Sequence, residues 1–498
     1  MKTVEKVLCT SIAATVALTA CVGLSGCSKK GSNGSLVWYT YGEKPAGHDT
    51  VMEKINEIVE PELGMKLDLQ YIDNASYSEK MKMKMAAGDE YDLLFTGYLY
   101  DYQTAVSLGG LYDITDLLDN IEMKDGTKVK MSDIIEDFYI KSATYDGKVY
   151  GIPNVQVVSN PNAIVMEKAV AEECGVDLEA LEELAYQIKF DDVESYEAYF
   201  SKLTEAMEKI KQKRPDLYTV LPFLYGNPGY ENLGNGLLLN PETNEIVIQA
   251  DVPVYQRAVE YVNMWYEKGY IRPDVASAGA STSSYEENRR YAIRQTTWKP
   301  GAETIFESQH TVPGVYSLLH KPNVARQSAL ATMTSVGAYT KHPEEAVKLL
   351  YMINSNKELF NLLCWGIEGV NYTKNEDGTV KEIPDSGYNK IGQNAWKFGN
   401  QFNSYVLEGQ DLDIWEKTEE MNNNATKSVA LGFAIYLDDI STEVANIANV
   451  EAEYKAKKDF GTVKREDYWN EYRQKLTQAG IEKVRDEVQK QYDEFLKK

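Results

Sequence analysis

The side chains best suited to chemistry in this chain are aromatic rings placed where apolar segments give way to turns. Tyr39 and Tyr41 close a run that stops at Gly42, and Tyr98 and Tyr100 follow a second run in Thr96-Gly97-Tyr98-Leu99-Tyr100, with Asp101 next. Tyr225 and Asn227 belong to Phe223-Leu224-Tyr225-Gly226-Asn227-Pro228-Gly229, Trp298 precedes Lys299-Pro300-Gly301, and Trp365 opens Trp365-Gly366-Ile367-Glu368-Gly369. A flat ring stacks on the C–H face of a sugar while carboxylates and amides bond its hydroxyls, the usual mixture of a small-molecule cleft. Glu43, Asp101 and Glu368 are the carboxylates beside these rings. A chain with 35 tyrosines also places packing rings in loops, so the grouping carries this reading rather than any single ring.

Signatures of catalysis are missing. The sequence holds no G-x-x-x-x-G-K-[ST], no G-x-G-x-x-G after a strand, no G-x-S-x-G and no H-E-x-x-H. Its four histidines, His48, His310, His320 and His342, share no close spacing with one another or with a cysteine, which argues against zinc. Asn375-Glu376-Asp377-Gly378 resembles part of a calcium loop, but the twelfth position is Pro384, where a bidentate glutamate is required. The expectation is no catalytic residue, no metal and no cofactor. Glycoside hydrolysis stays a weaker alternative, because it needs two carboxylates about 5 to 9.5 Å apart and separation in space is not legible among 76 acidic residues.

The elements that must position these groups alternate. Leu36–Tyr41 is β-prone, residues 49–60 have helical apolar spacing with Pro61 near the end, and Met65–Ile72 alternates as a strand. Ser78–Ala87 reads as a helix stopped by Gly88, Tyr91–Phe95 as a strand, and Asp101–Leu108 as a helix. Strand and helix in turn define an α/β lobe with a largely parallel sheet, whose ligand crevice lies at the carboxyl ends of the strands. Beyond Pro153 the texture changes. Residues 167–213 are helical and acidic, 237–239 and 246–248 form a hairpin, Val254–Lys268 is an amphipathic helix, and a second hairpin turns at Asp377-Gly378. Ile481, Val484, Val488, Tyr492 and Phe495 give the tail one apolar helix face.

The N-terminus carries an address. Lys2 and Lys6 precede an uncharged run, Val7–Val22, too short to span a bilayer comfortably and suited to a secretory signal over residues 1–26. Leu24-Ser25-Gly26-Cys27 resembles a bacterial lipobox, with Cys27 the residue to be lipidated; Leu18-Thr19-Ala20-Cys21 is the second candidate. Residues 27–35 then form the lipidated cysteine and a polar, glycine-rich tether. The formal charge of −24 repels nucleic acid and anionic headgroups, so the membrane is a partner through the lipid alone and nucleic acid is not a partner. Cys174 and Cys364 remain in the mature chain, as a pair or as buried thiols, without a disulfide framework.

Several stretches together resemble the extracellular solute-binding proteins of ABC importers, the broad family that includes maltose-binding protein. They are Ala86-Ala87-Gly88-Asp89-Glu90-Tyr91-Asp92-Leu93, with Tyr91 where proline is common, Gly109–Leu118, Tyr145-Asp146-Gly147-Lys148-Val149-Tyr150-Gly151-Ile152-Pro153, and Gly337–Val347. Leu431-Gly432-Phe433 and Lys475–Tyr492 resemble the C-terminal module of a lipoprotein branch tied to complex-sugar uptake. The resemblance implies a two-lobed α/β fold of the periplasmic-binding-protein type (type II), hinged between the lobes, with a helical C-terminal segment. It places residues 36–153 and about 316–365 in the first lobe, about 154–315 and 370–498 in the second, and crossings near 153, 315 and 365–375. It implies a monomer without catalysis, lipid-anchored on the outer face of the cytoplasmic membrane, that hands an oligosaccharide to ABC permease subunits. Tyr39, Tyr41, Glu43, Tyr98, Asp101, Tyr225, Asn227, Trp298, Trp365 and Glu368 are then its candidate ligand contacts. A peptide or other small solute is the alternative ligand.

Overall fold

A computed structural model describes residues 34–497 apart from 160, 224, 227, 279–289, 387, 389–394 and the side chains at 278 and 438. Cys27, the signal segment, most of the tether and the candidate Asn227 lie outside the described residues.

The first β-prone run folds as Ser35–Tyr41 because Leu36 and Trp38 alternate into the interior, where both are almost fully buried. It pairs in parallel with Lys66–Ile72 on one side and Leu93–Gly97 on the other, Trp38 standing opposite Leu69 and Leu93. Parallel neighbours need crossovers, and the helices His48–Leu63 and Tyr77–Ala87 supply them. The sheet order is 66–72, 35–41, 93–97, 332–336, 151–153, the last two pairings antiparallel. A strand from far along the chain, Thr332–Val336, is thus inserted between two early ones.

The second sheet runs 218–220, 291–297, 162–167, 314–318. Helices Val193–Lys213 and Pro253–Glu267 cover it, and the buried Phe200 and Trp265 rings of these helices stack at 5.4 Å. The acidic stretch from 167 resolves into three helices, Lys168–Cys174, Leu178–Gln187 and Val193–Lys213. Leu237–Leu239 pairs with Ile246–Ile248 as expected, and Glu231–Gly234 adds a third strand on its other side. The C-terminal helices Ser441–Asp459, Arg465–Ala479 and Ile481–Phe495 pack on this same core through Ile447, Tyr454, Tyr472 and Val484. Gly480, at φ +92°, separates the last two helices in a left-handed conformation that costs other residues energy.

Two hydrophobic cores result, one under each sheet. Cys174 is buried in the second and Cys364 in the first, and both are free thiols.

The chain passes between lobes at 154–161, again at 319–331, and finally near 425–430, since Ala425 belongs to the first core and Ala430 to the second. This differs from a third crossing at 365–375. Tyr372, Val380, Tyr388, Phe398 and Leu407, expected in the second lobe, fill the first core instead. Gly366 explains the return: at φ +79° it turns the chain back, with the Asn371 side chain 2.4 Å from where a Cβ would stand. Periodicity finds the hairpin but says nothing about which core receives it.

The crossings are tied to one another. Asn323 and Val324 pair in parallel with Thr426 and Lys427, and the Asn323 N–H donates to the Ser159 carbonyl at 2.9 Å. Asn422 completes the hinge: its Oδ1 accepts from the Val158 and Ser159 N–H groups at 3.1 and 3.2 Å. Its Nδ2 donates to the Gln156 carbonyl at 2.8 Å.

Candidate ligand-binding cleft

Between the two sheets lies a cleft of about 550 Å³, the size range of small-molecule sites. The first lobe contributes Tyr98 and Trp396, whose ring centroids are 6.1 Å apart at 49°. Tyr98 is placed by a tight turn at the end of its strand. Gly97 has φ +134°, and a Cβ there would stand 2.2 Å from the Ala331 carbonyl oxygen, so only glycine lets the strand meet the crossing segment this closely. The Tyr98 N–H then donates to that same carbonyl at 2.9 Å. The ring is left 59% exposed, an unusual position for so large an apolar surface and one that suits a stacking platform. Tyr41 and Phe95 back it edge-on at 5.8 and 5.9 Å.

The second lobe answers with Arg294, Phe306 and Tyr316. Arg294, on the strand Tyr291–Thr297, is 4% exposed and holds its guanidinium 5.2 Å from the Phe306 ring. Tyr316 stands edge-on to Phe306 at 6.3 Å and donates its hydroxyl to the Ala302 carbonyl at 3.2 Å. Gln156, Gln295, Thr296, Thr297 and Gln401 supply amides and hydroxyls around the rings. The Gln156 amide donates to the Thr332 hydroxyl at 2.8 Å, which fixes its orientation. Lys299 follows the Arg294 strand, and burial holds its ammonium down at about 8.

Of the described residues expected to bind ligand, only Tyr98 lines this cleft. Tyr41 is buried behind Tyr98, with the Lys397 ammonium 4.2 Å from its ring, and desolvation pushes its phenol far above the ordinary range. Tyr39, on the same strand as Tyr41, packs edge-on against Tyr91 at 5.9 Å, with Lys84 over its face. Asp101 caps the helix Tyr102–Ser107, its Oδ1 accepting from the Thr104 N–H at 2.7 Å. Tyr225 donates its hydroxyl to the Leu319 carbonyl at 3.0 Å and packs on the second core. The Trp298 indole N–H is spent on Glu303 at 2.9 Å, although its neighbours Thr297 and Lys299 do line the cleft. Trp365 is a core residue, 4% exposed, with its N–H on the Ser404 hydroxyl at 2.9 Å. Glu43 is exposed, and Glu368 is an exposed partner of Lys374 at 3.2 Å. Trp396, Arg294, Lys299, Phe306 and Tyr316 are lining residues that sequence reasoning missed; for Trp396 a signal was present. A tryptophan in the polar stretch Gln393-Asn394-Ala395-Trp396-Lys397 was the available signal.

Two α/β lobes, a tied three-segment hinge and an aromatic-walled cleft between them define a ligand-capturing protein rather than a scaffold. The chain belongs to the bacterial extracellular solute-binding protein family, whose model matches residues 55–363. Residues 429–497 match a second model, described as a domain of unknown function (DUF3502). A relative from Streptococcus pneumoniae serotype 4, named "Carbohydrate ABC transporter substrate-binding protein", is 28% identical, covering 98% of this chain and 96% of that protein. The crystal structure of the N-glycan transport solute binding protein (NgtS) from Streptococcus pneumoniae superposes with a TM-score of 0.78 at 25% identity, covering 93% of this chain and 99% of that one. The same protein in complex with Man1GlcNAc gives the same TM-score. The Streptococcus pneumoniae substrate binding protein FusA, in complex with kestose, shares the fold at a TM-score of 0.57 and 15% identity, covering 93% of this chain and 99% of that one. Among the described residues no helix is long and apolar enough to cross a membrane.

Proposed function

We propose that this chain is the capture subunit of an ABC importer for an oligosaccharide, closing its two lobes on the sugar and passing it to membrane permease subunits. The observation that carries this reading is the exposed Tyr98–Trp396 platform facing Arg294, Phe306 and Tyr316 across a hinged cleft. Rings on both walls sandwich a pyranose, and the amides and hydroxyls between them take its hydroxyl groups. The names of the relatives, carbohydrate and N-glycan transport, favour a glycan over a peptide. Neither aspartate nor glutamate occurs among the described lining residues, so the acid pair a hydrolase needs is not assembled there. The protein acts by binding alone.

The anchor belongs to the same reading. A single acyl chain holds a protein only marginally, whereas the diacylglycerol of a lipidated Cys27 holds it firmly at the outer face of the membrane. Replacing Cys27 and Cys21 together by alanine should abolish lipid labelling of the protein, and a labelled double variant would remove the anchor from this account.

Calorimetric titration with a panel of oligosaccharides and peptides tests the ligand class. The expected result is a glycan that binds at micromolar or tighter concentration, raises the melting temperature as its concentration exceeds Kd, and is recovered unchanged. Stabilisation by peptides and by no glycan would overturn the sugar; product sugars on incubation would overturn the absence of catalysis.

A further inference from the structure

The charge of the cleft is opposite to that of the chain. The whole sequence carries 76 acidic against 52 basic residues. The described cleft lining holds Arg294, Lys299 and His310 but no aspartate or glutamate. Arg294 and Lys299 stand on one wall, on the strand Tyr291–Thr297 and the turn that follows it. Arg294 is held rigidly, buried and stacked on Phe306. Lys299 is half-buried, 5.5 Å from the Trp415 ring, and its ammonium makes no ion pair or hydrogen bond among the described residues.

A neutral sugar does not call for this arrangement. Its hydroxyls are bonded as well by the amides and threonines already lining the cleft. Withdrawing an ammonium from water without a counter-ion costs free energy, and that cost is recovered only when an opposite charge arrives. Building such a wall into a strongly acidic protein also focuses a positive field in this cleft.

We propose that the oligosaccharide is anionic, the unit lodged against the Arg294–Lys299 wall carrying a carboxylate or a sulfate; this rests on the oligosaccharide reading above. The guanidinium and ammonium donate charge-assisted hydrogen bonds to the acid oxygens, while Tyr98 and Trp396 stack on a neighbouring ring. The low affinity of Lys299 for its proton agrees, because a bound anion restores a fully protonated ammonium.

The test is titration calorimetry on matched pairs that differ only in charge: an oligouronide and its methyl ester, a sialylated glycan and its desialylated form, a sulfated oligosaccharide and its desulfated form. The anionic member of at least one pair should bind about tenfold tighter or more, the range expected when a charge-assisted bond replaces a neutral one. The carboxylate and sulfate arms separate the two sources of charge. In Lys299→Gln the preference should fall below about threefold, while Lys299→Arg, which keeps the charge, should retain most of it. Melting curves of both variants confirm that they fold. Equal or tighter binding of the neutral member in every pair that binds overturns the proposal while leaving the sugar reading standing, as does an undiminished preference in Lys299→Gln. Binding of no saccharide by the wild-type protein overturns both.

Discussion

Gly301 and Gln410 meet between the lobes: the Gln410 amide donates to the Gly301 carbonyl at 3.3 Å, although the two residues belong to different lobes. Thr304 donates to the Gly409 carbonyl at 3.3 Å beside them, so helix Ala302–His310 and the turn at 407–414 touch. The contact depends on glycine. Gly301 has φ +77°, and a Cβ there would stand 2.3 Å from Ile414 Cδ1 and 2.7 Å from Gln410 Nε2.

Gly301→Val should therefore weaken ligand binding without touching the ligand. The left-handed conformation alone costs a side-chain-bearing residue about 1–2 kcal/mol, and the added side chain displaces the ends of Ile414 and Gln410, breaking the Gln410–Gly301 hydrogen bond between the lobes. Affinity falls with the fraction of molecules able to close, so Kd should rise about five- to tenfold. Calorimetry gives the affinity and small-angle scattering the radius of gyration. An unchanged Kd with an unchanged radius would show that this contact does not help hold the lobes together.

Two tryptophans should separate binding from stability. Trp396→Ala removes half the platform from a half-buried position, and affinity should fall about a hundredfold, equivalent to the roughly 1–3 kcal/mol of a stacking partner plus lost burial, with a small change in melting temperature. Trp365→Ala empties a core site and takes away the donor to the Ser404 hydroxyl. It should cost about 3–5 kcal/mol of stability and leave the affinity of the folded fraction near wild type. Urea unfolding alongside calorimetry distinguishes them, and an inverse pattern would return Trp365 to the site.

The contrast between these residues shows what a sequence can and cannot say. The first-lobe elements were legible because Leu36, Trp38, Ile55, Val59 and Leu69 repeat at strand or helix spacing, and that spacing follows from one buried face. The carboxyl edge of the strands was legible too, and it located Tyr98. Period-two geometry did not reveal that Tyr41 would lie behind Tyr98 rather than beside it, since that depends on Phe95 and Trp396 packing from elsewhere. Trp365 looked like a loop residue because Gly366 follows it. Its indole instead ends a helix whose buried face continues through Leu363 and Cys364. Which core receives the segment 372–425 is a long-range choice, and no local pattern encodes it.

Asn422 should act as the pin of the hinge. Its buried amide bonds three backbone groups of the first crossing from the last helical turn before the third. Asn422→Ala leaves the Val158 and Ser159 N–H groups without their acceptor, at about 1–3 kcal/mol for each buried group that stays unsatisfied. Both the melting temperature and the cooperativity of unfolding should drop, with two separated transitions where the wild type shows coupled lobes. Differential scanning calorimetry checks this, and a single unshifted transition would mean the strand pairing at Asn323–Val324 suffices to hold the crossings.

Alkaline pH should unfold this protein through its tyrosines. Tyr77, Tyr196 and Tyr388 are fully buried, and loss of water pushes each phenol well above its ordinary 10.0. A group whose folded pKa lies above its unfolded value stabilises fully below the unfolded value, and that stability drains away as pH rises past it. Lys299 and Lys397 act in the opposite sense. Burial lowers both from 10.5 to about 8, so between those values the unfolded chain holds protons that the native one has released, and stability rises with pH. The urea midpoint should be level or slightly rising from about pH 7.5 to 9.5 and should fall steeply above about 10, where the unfolded phenols ionise. Tyr388→Phe should make the fall shallower, because one proton fewer is released on unfolding. A midpoint that declines steadily from neutral pH would mean that neither the lysines nor the phenols govern the alkaline limb.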